Sequence, residues 1–257
     1  MLLHAVIEGH GPRLALLHPV GLHGGFLAPL ASRLVGCYQV MRIDLRGHGE
    51  SPLEPLGHSM ADFADDVHDT LQAHGFAPCA LGGFSFGSMT AQELAIRHPS
   101  DVSALLAIAG PCSYDTTRRA TIAARGIDSL AYGMSAVIDA TMERWFTPAF
   151  RQSPEALAAR TYLLERDPRG WAQGWKAISG LDTEPRLNQL RIPALCVAGE
   201  CDVSSTSAAV RRIADAIPGA RYEVLPGAPH MLFIEQLDAT AAVMMRFLNA
   251  LHDHRAA

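Results

Sequence analysis

Cys79-Ala80-Leu81-Gly82-Gly83-Phe84-Ser85-Phe86-Gly87 is the stretch whose reading decides the fold. Cys79–Phe84 is an apolar run of strand length, and it passes without a linker into helical periodicity over Phe86–His98. Gly83-Phe84-Ser85-Phe86-Gly87 fits Gly-x-Ser-x-Gly, the signature of a sharp strand-to-helix turn. A side chain at such a turn stands out from the end of its strand on a strained backbone, and glycines two residues before and after it relieve the crowding. The N-terminus of the following helix favours negative charge developing beside that side chain. Ser85 is therefore the candidate nucleophile.

Outward from this turn, short apolar runs alternate with helical patterns. Leu2–Ile7 and Arg13–His18 read as a hairpin around Gly9–Pro12, Phe26–Val35 as a helix and Tyr38–Asp44 as a strand. Met60–His74 reads as a helix capped by Ser59, and Val102–Ala109 as another buried strand. Between Pro111 and Arg186 only helical patterns occur, punctuated by Pro148, Pro154, Pro168 and Pro185. Strand patterns resume at Pro193–Ala198, followed by helix Ser205–Ile217, strand Ala220–Leu225 and helix Gln236–His252. The prediction is an α/β fold: a mostly parallel, doubly wound sheet from residues 1–110 and 187–257. Residues 111–186 are expected to be a helical cap inserted over the C-terminal ends of the strands.

Composition excludes several classes. The 257 residues are 49% hydrophobic and 18% charged, enough to bury a core, which argues against intrinsic disorder. The net charge is −5 and Lys176 is the only lysine among 21 basic residues, with no polybasic run, so a nucleic-acid partner is not expected. No apolar stretch approaches the ~20 residues that span a bilayer, and Met1–Gly11 lacks the form of a signal peptide, so a cytoplasmic protein without a membrane partner is expected. Cys37, Cys79, Cys112, Cys196 and Cys201 are scattered and odd in number, indicating reduced thiols. The twelve histidines show no metal-binding spacing, so no metal is expected.

A serine nucleophile on an open α/β sheet needs an acid and then a histidine, in that chain order, on loops at the same sheet edge. Asp202 follows the strand ending at Ala198-Gly199, and His230 follows the strand ending at Leu225. In this reading His230 takes the Ser85 proton while Asp202 fixes the histidine tautomer and stabilises the imidazolium. Asp115, just beyond another strand, is the rival for the acid, and Asp202 could instead be an ordinary helix cap. Oxyanion donors are expected from the Phe86 backbone N–H and from the loop His18-Pro19-Val20-Gly21. Pro19 has no N–H, which leaves Val20.

With these residues in place the chain resembles the α/β-hydrolase superfamily over essentially its full length. The resemblance is carried by the serine turn, His18–Gly21, Asp44-Leu45-Arg46-Gly47-His48-Gly49-Glu50-Ser51, Gly199 with Asp202, and His230. Within the superfamily it is most similar to 3-oxoadipate enol-lactonases, through Arg144-Trp145-Phe146-Thr147-Pro148-Ala149-Phe150 and Ile217-Pro218-Gly219-Ala220-Arg221. That resemblance implies hydrolysis of a small, carboxylate-bearing lactone in aromatic-compound catabolism. A C–C bond hydrolase, a thioesterase or a cofactor-free perhydrolase would use the same three residues, and a non-catalytic binding protein could occupy the same scaffold. No cofactor is implied, since serine, histidine and carboxylate suffice for acyl transfer.

Residues 111–186 hold ten basic and nine acidic side chains, a near balance, whereas the rest of the chain has an acidic excess. An anionic substrate would be better received there. Arg125 and Arg144 are the expected carboxylate partners and Trp145 the expected pocket wall, against the alternative that the aromatic residues only pack the helices onto the sheet.

Overall fold

In the computed structural model, residues 1–55 and 59–256 are described, with side chains to residue 251. Strand β4 (Cys79–Phe84) is buried at every position and lies between β2 (Arg13–Leu17) and β5 (Val102–Ile108), parallel to both. The seven strands run in the order β1-β3-β2-β4-β5-β6-β7, with β6 Ala194–Gly199 and β7 Arg221–Leu225. All pairs are parallel except β1 with β3 (Gln39–Ile43).

The hairpin expected at the N-terminus does not form. Strand β1 (Ala5–Glu8) pairs with β3, Ala5 opposite Ile43, and β3 separates it from β2. The reason is burial: Leu14–Leu17 are fully buried and take an interior position with a partner on each side. Ile7 and Glu8 are exposed and suit only an edge. Gly9 and Gly11, at φ +78° and +103°, carry the chain across the end of β3; a Cβ on Gly9 would lie 2.5 Å from the Tyr38 carbonyl oxygen.

Helices connect the strands in the expected places. A single turn at Gly24–Leu27 leads into α1 (Ala28–Leu34). Helix α2 (Met60–Ala73) opens with Ser59 and Asp62 satisfying each other's backbone N–H groups. Helix α3 (Phe86–Arg97) follows β4 directly. Between β5 and β6 lie α4 (Thr116–Tyr132), α5 (Ser135–Trp145), α6 (Pro154–Leu164), α7 (Pro168–Ser179) and the one-turn α8 (Glu184–Leu187). Pro154, Pro168 and Pro185 sit in first turns, where the missing N–H costs nothing. Helix α9 (Ser207–Ala216) precedes β7, and the predicted final helix is α11 (Leu237–Ala256), with an unpredicted single turn, α10 (Leu232–Glu235), just before it.

The α4–α8 segment is closed at its base. Thr183 N–H donates to Cys112 O at 2.9 Å, beside a bridge between Ser113 and Asp182. Gly126 of α4 lies so near α7 that a Cβ there would be 3.1 Å from Ala172 backbone atoms. Helix α7 in turn rests on the loops that follow β2 and β3. A Cβ on Gly170 would reach 2.1 Å from the Gly47 carbonyl oxygen, one on Gly174 2.6 Å from Val20, and one on Gly21 2.5 Å from the Trp171 ring.

Candidate active site

Ser85 occupies the turn between β4 and α3 at φ 52°, ψ −110°, a left-handed conformation that a non-glycine residue adopts only when its surroundings enforce it. Two contacts enforce it here. Gly87 crosses Leu17 so closely that a Cβ would be 2.3 Å from the Leu17 carbonyl oxygen, and Gly110, beyond β5, passes under the Ser85 carbonyl. The Ser85 side chain points to the loop after β7: His230 Nε2 lies 2.9 Å from its Oγ. On the far side of the ring, His230 Nδ1 is 2.7 Å from Asp202 Oδ2. Asp202 Oδ1 accepts from the N–H groups of Ser204 and Ser205, at 2.7 and 2.9 Å, so both oxygens are engaged. All three residues are buried. The chain of contacts permits proton transfer from hydroxyl to imidazole, with the carboxylate holding Nδ1–H in place.

The structure separates the two candidate acids. Asp115 caps α4, accepting from Arg118 N–H at 2.7 Å, and is exposed. The cap of α9 is Thr206, so Asp202 is not that helix's N-cap.

Phe86 is the first residue of α3, so its N–H has no partner within the helix. Val20 is buried in the loop after β2, whose shape is set by a residue that the sequence reading left without a role. His18 Nδ1 donates to Pro19 O at 2.8 Å while its Nε2 accepts from Leu45 N–H at 2.8 Å, tying the Val20 loop to the loop after β3. Burial, followed by the neighbouring His48, pushes the His18 imidazole down to about 3. His48 is pushed down to about 4, mainly by burial, and its Nδ1 is 2.9 Å from Arg46 O. The one signal for His18 in the sequence is its place immediately before Pro19 at a strand end.

These two rings imply acid lability. Unfolded, each would take a proton near pH 6.5; folded, each stays neutral to about 3 or 4. Below pH 6.5 the unfolded chain therefore binds more protons, and stability falls as pH drops toward 4. The expected loss between pH 6.5 and 5 is about 2 kcal/mol per ring, measured as the urea midpoint against pH. His18→Gln should flatten that slope by about half; an unchanged slope would contradict this account.

Of the residues expected to meet a carboxylate, Arg125 lies over the Trp175 ring at 4.6 Å. No acidic side chain pairs with it among the described residues. Burial, then Arg144 and Arg118, lower its guanidinium to about 10. Trp175 Nε1 is buried without a partner. Arg144 is half-buried, likewise lowered by burial, and reaches Thr141 Oγ1 at 3.2 Å. Four other arginines of the α4–α8 segment are matched: Arg119 with Asp182, Arg160 with Asp139, Arg169 with Asp167 and Arg186 with Glu93. Trp145 is buried, and its contact to the triad loop is through the backbone, its carbonyl accepting from Met231 N–H at 3.0 Å. Thr147 adds a second tie, bonding Glu235 through both its N–H and its hydroxyl.

Fold and site together define a serine hydrolase on an α/β sheet. The chain belongs to the α/β-hydrolase family described as serine aminopeptidase, S33, whose model matches residues 12–237. It is 30% identical to a pimeloyl-(acyl-carrier protein) methyl ester esterase of Chromobacterium violaceum, over 96% of this chain and 95% of that one. It is 24% identical to 3-oxoadipate enol-lactonase 1 of Acinetobacter baylyi, over 94% and 90%. Among solved structures, an enol-lactonase from Burkholderia xenovorans superposes with a TM-score of 0.90 at 30% identity, over 96% of each chain. No helix among the described residues is long and apolar enough to cross a membrane.

Proposed function

We propose that the chain hydrolyses a small ester or lactone that carries its own carboxylate, with 3-oxoadipate enol-lactone as the leading substrate. Ser85 attacks the carbonyl, His230 accepts its proton and returns it to the leaving oxygen, and Asp202 stabilises the imidazolium. The N–H groups of Val20 and Phe86 receive the oxyanion, and helices α4–α8 act as the cap. The reading needs no metal or organic cofactor.

The observation that carries the carboxylate is Arg125. A guanidinium weakened by burial and by two other arginines, with no acid beside it among the described residues, gains most from an incoming anion. Trp175 Nε1 supplies a second unused donor next to it. Arg125 is tied to the acyl site by packing, because α7 carries both Trp175 and Gly174, and Gly174 lies against Val20.

The identity to pimeloyl-(acyl-carrier protein) methyl ester esterases supports a second reading, a methyl ester on a carrier-bound chain. An acidic carrier would dock on exposed arginines; Arg119, Arg160, Arg169 and Arg186 already have neighbouring carboxylates, while Arg118 is exposed and pairs with no acid among the described residues. The half-buried pair Arg125 and Arg144 favours the small anion.

The test is Arg125→Ala and Arg125→Lys on an enol-lactone bearing a carboxylate and on a neutral aryl ester. Arg125→Ala is expected to lower kcat/KM for the anionic lactone by about 30- to 1,000-fold, leaving the neutral ester within about threefold. Lysine should restore it only in part, lacking the planar fork. Equal loss on both substrates would reject the carboxylate role, and turnover of carrier-linked methyl esters alone would favour the second reading.

A further inference from the structure

Helix α2, the end of α3 and the turn before β5 bring His68, His98 and Asp101 together at the N-terminal edge of the sheet. One ligand atom from each lies within 4.8 Å of the others. The imidazoles of His68 and His98 stack face to face, centroids 3.8 Å apart and planes 9° from parallel. His68 Nδ1 is 2.6 Å from Asp101 Oδ2, and Asp101 Oδ1 accepts from Gln72 Nε2 at 2.9 Å. His98 Nε2 is 2.8 Å from Asp65 Oδ1, and Asp65 is itself gripped by Arg97 at 2.9 and 2.7 Å.

Asp101 is the unusual member. It is 2% exposed, and among the described residues no arginine or lysine pairs with it. Buried carboxylates are ordinarily matched by a permanent cation or by a metal. We propose that His68, His98 and Asp101 form a binding site for a divalent transition-metal ion such as zinc, separate from the triad and assigned no part in its chemistry. Two imidazoles and a carboxylate are a donor set of that kind, and solvent supplies the fourth position at this half-exposed surface. Asp65 then holds Nε2–H of His98 while Nδ1 ligates, and Gln72 orients Asp101, the outer contacts that metal-bound imidazoles and carboxylates require. Binding one ion requires the two stacked imidazoles to turn out of their parallel arrangement and His68 and Asp101 to exchange their 2.6 Å hydrogen bond for metal bonds of ~2.0–2.1 Å. No spacing motif reveals the set, because its members come from three separate elements. A bound ion would join α2 to the α3–β5 turn. It would sit about 18 Å from Ser85, the length of the twelve-residue α3.

The experiment uses the full chain, stripped with EDTA and titrated with zinc sulfate by calorimetry, with thermal unfolding in parallel. The expected result is one zinc per chain with Kd below about 50 μM and a rise in Tm of about 3–8 °C at saturation. His68→Gln/His98→Gln should abolish both, and His230→Asn, which removes the triad imidazole, should keep both. Weaker binding, or binding unchanged in the double variant, overturns the proposal. Should the double variant fail to fold, Co²⁺ added to the wild type decides: visible d–d bands of a tetrahedral nitrogen and oxygen site, displaced by zinc, support the site, and a featureless spectrum rejects it.

Discussion

Ser85→Ala is expected to lower kcat by about 10,000-fold or more, on any ester the enzyme accepts, with little change in thermal stability. The size follows from geometry. Once Oγ is gone, His230 has nothing to deprotonate within 2.9 Å, and residual turnover depends on water in a site shaped for a bound nucleophile. Stability should hold, and can rise, because the left-handed φ of 52° is imposed by the packing of Gly87 and Gly110 rather than by the hydroxyl. Burst kinetics with an aryl ester and a melting curve on the same preparation check both halves. Activity above a tenth of wild type in Ser85→Ala would remove Ser85 from the chemistry.

Gly83→Ala should be among the most damaging single methyl groups that can be added to the fold. A Cβ there would stand 2.1 Å from the Gly87 carbonyl oxygen and 2.5 Å from Ser88 N, both rigid backbone atoms of the first turn of α3. Relief requires β4 and α3 to part at the centre of the sheet, so the expected cost is at least about 4 kcal/mol, with little protein recovered in soluble form. Gly36→Ala is the matched control, since a Cβ there meets nothing within 4 Å. Chemical denaturation of the two variants side by side gives the comparison, and equal stability would contradict the crowding described for the turn.

Both expectations come from a segment that was readable residue by residue. Gly83, Ser85 and Gly87 are neighbours in sequence, and the strain that makes glycine necessary is local. Asp202 and His230 were legible for a related reason: each follows an apolar strand run closely, so parallel topology alone brings them to one edge. What could not be read was set by non-local or backbone contacts. Pairing of β1 with β3 depends on which strand is buried on both sides, and Leu2–Ile7 looks the same at an edge as in a hairpin. The four-residue α10 just before the predicted final helix is too short for a helical period to announce it. Arg125 and Arg119 look alike in sequence, and only the fold shows that Arg119 has an acidic neighbour and Arg125 none among the described residues. Trp145 reads as a pocket side chain, while its clearest tie to His230 is a carbonyl oxygen that any residue would supply.

That carbonyl has a kinetic meaning. The N–H it accepts belongs to Met231, the residue after the base, and the next turn is held by Thr147 through Glu235. If α5 swings out to admit substrate, it withdraws a support from the loop that aims His230 at Ser85. Such a movement would couple substrate entry to the aim of the general base, and the open enzyme would be the weaker catalyst. Selectivity would then be enforced by timing as well as by pocket shape, with the resealing of α5 as the gate.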